Sequence, residues 1–174
     1  MVSSSASFLV PFLLVLLSSI IAPSLAIPAS DINNLCSGSR DATFCLSFLK
    51  SDPRFASAAD LAGVAQVAVE IGSAKATDTL NFVKEMAKKS TERRPREIYL
   101  TCSENYDNAV SSFADAKAYM SSKDFAGAGY AVSAVLDDAD TCNEETEGAD
   151  PSLPQRNQNV ESICSLILYI NTKL

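Results

Sequence analysis

The sequence predicts an all-α fold, an up-down-up-down four-helix bundle preceded by a short N-terminal helical hairpin and held by two disulfides. Three observations lead there. Apolar residues recur every three or four positions through four long segments, the signature of amphipathic helices. No stretch alternates apolar and polar residues over a useful strand length. The segments are joined by short turns rich in Ser, Asp, Gly and Pro, and short joins make neighbouring helices antiparallel.

The first 26 residues read as a secretion signal. Phe8 to Ile21 is almost wholly apolar, too short and too broken by Pro11 and Ser18-Ser19 for a membrane-spanning helix. Ser24-Leu25-Ala26 is a small-x-small cleavage pattern. Cleavage near Ala26 leaves Ile27 to Leu174, long enough for one domain with a single core. No later apolar run is long enough to span a bilayer, so the mature chain is expected to be secreted without a membrane anchor.

Residues 27–54 form the predicted hairpin, with helical pieces at 31–36 and 41–50. Asp41 is placed to cap the second, in which Phe44, Cys45, Phe48 and Leu49 recur at helical spacing. Ser51-Asp52-Pro53-Arg54 is a turn, because the residue before proline avoids helical geometry. The bundle occupies 55–174. Its first helix is predicted from Ser57 to Lys89, with a stripe of Leu61, Val64, Ala65, Ala68, Ile71, Ala74 or Lys75, Thr79, Phe82, Val83 and Met86. The second runs from Arg96 to Ser121, with Tyr99, Cys102, Tyr106, Ala109 or Val110, Phe113, Ala116 and Met120 inward. The third runs from Asp124 to Glu145 with Phe125, Ala128, Val132, Val135, Leu136 and Ala139 inward, and its Gly127 and Gly129 are tolerable where helices pack closely. After a loop fixed by Pro151 and Pro154, the fourth runs from Gln155 to Thr172 on Val160, Ile163, Cys164, Ile167, Leu168 and Ile170.

The cysteines test this geometry. Cys102 and Cys142 lie at nearly equal distances on either side of the corner at Ser122, so they come level in an antiparallel helical pair. A Cys102–Cys142 bridge would stabilise by about 4 kcal/mol in the chain-entropy model. Cys36 and Cys45 flank the small hairpin and can pair locally, for about 2.5–3 kcal/mol. Cys164 remains, on the apolar stripe of the last helix, either as a buried free thiol or as a partner in an intermolecular bridge.

Charge and residue types narrow the function. The net charge of −7 argues against nucleic acid and anionic membranes as partners. Cys102 to Asp150 holds eleven acids and two bases, a net −9, so the rest of the chain carries +2. For any single acid a solvated helix face suffices as explanation, but the asymmetry between segments suggests an acidic side suited to a cationic partner. The chain has no His, which removes the commonest general base and zinc ligand. No phosphate loop, dinucleotide fingerprint or calcium loop occurs, and the acids at 137–145 lack the glycine turn of a calcium loop. Neither a catalytic site, nor a metal, nor a cofactor is expected.

Taken together, Cys36-x8-Cys45, Ser51-Asp52-Pro53-Arg54, Tyr99-Leu-Thr-Cys102-Ser-Glu-Asn-Tyr106 and Ala139-Asp-Thr-Cys142 resemble the plant invertase and pectin methylesterase inhibitor family. The resemblance spans essentially the whole mature chain. Cys102-Ser-Glu-Asn-Tyr106 and the run from Thr141 to Gly148 look most like the kiwifruit-type branch that inhibits pectin methylesterase. The invertase branch commonly carries Pro-Lys-Phe where this chain has Lys123-Asp124-Phe125. The resemblance implies a one-to-one complex in which bundle helices cover the enzyme's pectin-binding cleft in the cell wall. It implies contacts from Glu104, Asp124, Thr141 and Glu144. Asn108 and Ser111 stand at two contact positions that are acidic in that branch, and Asp107 and Asp115 are candidates to compensate. Inhibition of acid invertase, and a carrier role with a ligand in the bundle core, are the competing readings. The carrier reading needs a sizeable internal cavity.

Overall fold

The computed structural model describes residues 27–144 and 146–174. The predicted secretion signal, residues 1–26, lies outside the described residues, as does Glu145, where the third bundle helix was expected to end. The described chain is helical throughout its regular structure, and its order follows local capping chemistry.

Helix α1 (Ala29–Ser37) and helix α2 (Ala42–Ser51) form the N-terminal hairpin. Asp41 caps α2, its carboxylate accepting from the Phe44 amide at 2.8 Å. The turn expected at 51–54 contains one further helical turn, α3 (Pro53–Ala56). Pro53 opens it, where a missing amide proton costs nothing, and Asp52 caps it by accepting from the Arg54 amide at 2.9 Å. Arg54 then pairs with Asp52 at 2.8 Å and with Glu70 on the first bundle helix at 2.7 Å.

The bundle consists of α4 (Leu61–Lys89), α5 (Arg93–Ser121), α6 (Phe125–Glu144) and α7 (Ser152–Asn171). Each packs against two neighbours, in the cyclic order α4, α5, α6, α7. Three helix starts differ from expectation. Helix α4 begins at Leu61 rather than Ser57, because Asp60 caps it by accepting from the Gly63 amide at 2.8 Å. Helices α5 and α7 begin three residues early, at Arg93 and Ser152, and carry Pro95 and Pro154 inside their first turns. Proline disrupts a helix interior, but first-turn amides have no intrahelical acceptor, so proline is harmless there.

The core runs the length of the bundle. The α5 stripe lies inward as expected, with Tyr99, Cys102, Tyr106, Ala109, Phe113, Ala116 and Met120 all buried. The α4 stripe rotates relative to expectation. Val69, Gly72, Ser73, Ala76, Leu80 and Ala87 are buried, whereas Ala74 and Lys75 are exposed and Ile71, Phe82 and Met86 only half-buried. Val64, Ala65, Ala68, Thr79 and Val83 are buried as expected; in the middle of the helix the buried line shifts to the small residues Gly72, Ser73 and Ala76. A Cβ at Gly72 would lie 2.7 Å from Phe113, so α4 and α5 are in close contact. Tyr106, Phe113, Ile167 and Ile170 are fully buried, each of the apolar ones contributing roughly 1.5–3 kcal/mol of transfer free energy. This close filling disfavours a ligand carried in the core.

One polar group crosses that core. Asn157 on α7 is fully buried; its Oδ1 accepts from the Tyr106 hydroxyl at 2.9 Å, and its Nδ2 lies 3.3 Å from Cys142 Sγ. Burial raises the Tyr106 pKa far above the usual phenol range, so this hydroxyl stays a donor.

Candidate protein-binding face

Helices α5 and α6 form one long antiparallel pair, fixed at both ends. At one end Cys102 and Cys142 are bridged, with Cα atoms 4.8 Å apart, as the level-position argument requires. At the other end Lys123 adopts a left-handed backbone, φ 61°, and turns the chain. Asp124 then caps α6, its Oδ1 accepting from the Gly127 amide at 2.8 Å. The second bridge, Cys36–Cys45, pins the N-terminal hairpin with Cα atoms 5.4 Å apart. Cys164 is buried and free, and burial pushes its thiol pKa far up, so it behaves as a small apolar side chain. The buried thiol excludes the intermolecular bridge for the folded chain.

The outward sides of α5 and α6 gather most of the expected contact residues. Glu104, Asn108, Ser111 and Asp115 recur at helical spacing and are all exposed on one ridge of α5. Asp137, Thr141 and Glu144 form the matching exposed ridge on α6. The Thr141 hydroxyl donates to the Asp137 carbonyl at 2.8 Å, so its oxygen remains able to accept. Asp107 does not join them. It lies a quarter-turn away, toward α4, where it accepts from Lys84 Nζ at 2.9 Å. Asp115, by contrast, shares the ridge of Asn108 and Ser111.

The face is left with unbalanced charge. Among the described residues, the ion pairs do not involve Glu104, Asp115, Asp124, Asp137, Asp138, Asp140 or Glu144. Lys117, one of two bases in this segment, is turned to α4 and donates to the Ser73 hydroxyl at 2.8 Å. Asp138, partly buried between the helices, has a pKa raised first by burial and then by the neighbouring Asp137 charge.

Three exposed apolar side chains on this helix pair escaped the sequence reading. Leu100 is 47% exposed, Tyr119 40% and Tyr130 81%. Leu174 at the C-terminus is the other large exposed hydrophobic among the described residues. The signal was legible: Tyr130 falls between Ala128 and Val132, on the opposite side of α6 from the core line. Helical periodicity marks the buried side of a helix and carries no separate signal for an apolar residue on the exposed side.

A closed helical bundle with a rigid, acidic and partly aromatic flank defines a protein-binding module. The sequence match makes this specific. Residues 30–170 match the model of the family described as plant invertase/pectin methylesterase inhibitor, and the chain belongs to that family. A pectinesterase inhibitor from Actinidia deliciosa is 34% identical over 147 residues, covering 82% of this chain and 78% of its own. Pectinesterase inhibitor 2 from Arabidopsis thaliana is 28% identical, covering 87% and 88% respectively. The crystal structure of a mutant form of a pectin methylesterase inhibitor from Arabidopsis superposes with a TM-score of 0.76 at 26% identity, over 83% of this chain and 97% of that one. A further relative from Platanus orientalis, 29% identical over 75% of this chain and 78% of its own, is provisionally named an invertase inhibitor.

Proposed function

We propose that this protein inhibits pectin methylesterase by forming a one-to-one complex in which the α5–α6 face covers the enzyme's pectin-binding cleft. The observation that carries the reading is the row of uncompensated carboxylates on a helix pair locked at both ends, in a chain whose relatives are named for this inhibition. A cleft that handles the anionic product of pectin de-esterification benefits from basic side chains, and an acidic rod is complementary to such a cleft. Substrate is then excluded by occupancy, and no chemistry is asked of the inhibitor. Glu104, Asp115, Asp124, Asp137 and Glu144 supply the steering charge, while Asn108, Ser111 and Thr141 supply short polar contacts. After signal cleavage near Ala26 the protein acts in the apoplast. Among the described residues no helix is long and apolar enough to cross a membrane.

The relatives named for invertase keep acid invertase as the alternative target. One titration decides. Mature protein is added to a plant pectin methylesterase and, separately, to acid invertase, and residual activity is measured. The expected result is stoichiometric loss of pectin methylesterase activity alone; inhibition of invertase only, or of neither, refutes the proposal. The association rate should also fall as salt is raised, since exposed charges are screened over about 8 Å at physiological ionic strength.

A further inference from the structure

We propose that Tyr130 is the aromatic anchor of the docking face, inserting its ring into a recess on pectin methylesterase whose lip carries basic side chains. This rests on the reading that α5–α6 docks on that enzyme. Tyr130 is 81% exposed, so most of its ring meets water in the free protein. It stands near the middle of the face. Cys102 and Cys142 are level, so along the antiparallel pair Tyr130 comes level with Ala114 on α5.

Its surroundings suit insertion. The residues three and four positions away on α6 are Ala126, Gly127, Ser133 and Ala134. The ring therefore rises above small neighbours, and a partner surface can close around it. Asp115, Asp124 and Asp137 stand further out. An apolar centre within a polar rim is the usual anatomy of a strong protein interface. The carboxylate rim specifies the lip: basic side chains meet the acids, and one can also stack on the ring. An anionic lipid surface would be repelled by the same acids.

The other exposed apolar residues fit the role less well. The Tyr119 ring lies across Gly127, where an added Cβ would sit 2.7 Å from Tyr119 Cδ1, so it is already packing α5 against α6. Leu100 lies at the disulfide end, away from the centre. Tyrosine also has only two side-chain torsions to freeze, so its burial costs little conformational entropy.

The test separates anchor from steering charge. Association and dissociation rates for purified pectin methylesterase are measured for the wild type, Tyr130→Ala, Tyr130→Phe and Glu104→Gln, each across a salt series. Tyr130→Ala is expected to raise the dissociation rate by about tenfold or more. It should leave the salt slope of association and the melting temperature unchanged. Tyr130→Phe should stay within about threefold of wild type, because the ring does the anchoring. Glu104→Gln should flatten the salt slope and change dissociation little. A Tyr130→Ala dissociation rate within about twofold of wild type, with the wild type inhibiting normally, overturns the anchor and leaves the inhibitor reading intact. A wild type that fails to bind pectin methylesterase overturns both.

Discussion

The chain contains two helical hairpins, each closed by one disulfide, and they use the bridge differently. Cys36–Cys45 spans nine positions and joins α1 to α2, two short helices lying outside the bundle. Cys102–Cys142 spans forty and joins α5 to α6, which are half of the bundle and carry the acidic face. A short hairpin has few residues with which to build a core, so its bridge replaces packing it cannot make. The long hairpin already has a continuous apolar seam. Its bridge adds little to local packing but restrains a long stretch of unfolded chain and holds the register of the docking face. The same covalent device therefore supports local folding in one place and preorganised recognition in the other.

The largest test of this contrast compares double serine variants. Cys102→Ser/Cys142→Ser should lose about 4 kcal/mol and Cys36→Ser/Cys45→Ser about 2.5 kcal/mol in denaturant unfolding. Equal losses would mean that loop length does not govern the two bridges. Next in size is Tyr106→Phe, which leaves Asn157 Oδ1 buried without its donor and should cost about 1–3 kcal/mol. An unchanged unfolding midpoint would show that the polar tie beside the long bridge contributes nothing.

Charge on the face offers a smaller effect. Glu104→Gln should slow association with pectin methylesterase by roughly two- to fivefold at low salt, whereas Asp107→Asn, whose carboxylate serves Lys84, should leave the rate nearly unchanged. Equal slowing would return Asp107 to the contact surface. The smallest concerns Asp138. Its raised pKa means that ionisation is disfavoured in the folded chain, so the penalty is present above the folded pKa and disappears below the ordinary value of 3.8. Asp138→Asn should raise the melting temperature by about 1 °C near pH 7 and by nothing near pH 3. A gain that persists at pH 3 would assign the effect to packing.

Of the long hairpin, almost everything covalent and periodic was legible in order of residues. Tyr99 to Met120 repeats at helical spacing without interruption, and two cysteines equidistant from one corner leave a single sensible register. The α4 stripe was read less well, because periodicity weighted by apolar size favours Ile71 and Phe82 over Gly72 and Ala76. Which line is buried depends on how closely a neighbour can approach, and small residues permit the closest approach. The expected contact residues divide for a similar reason. Glu104 and Asp107 are equally acidic and only one turn apart, yet one is free and one is neutralised by a helix that no spacing rule on α5 can reveal.

The sequence by itself determined the two hairpin helices and the four bundle helices, their order, both bridges and the side of the molecule on which acids accumulate. These follow from local preferences, from chain connectivity and from side-chain period, all of which act along the chain. The tertiary structure alone decided that Asp107 belongs to Lys84, that Cys164 is sealed in the core, that Asn157 ties α7 to α5, and that Tyr130 stands exposed among small residues. Each depends on what a neighbouring helix places opposite a side chain, and packing is a relation between segments that no one segment encodes.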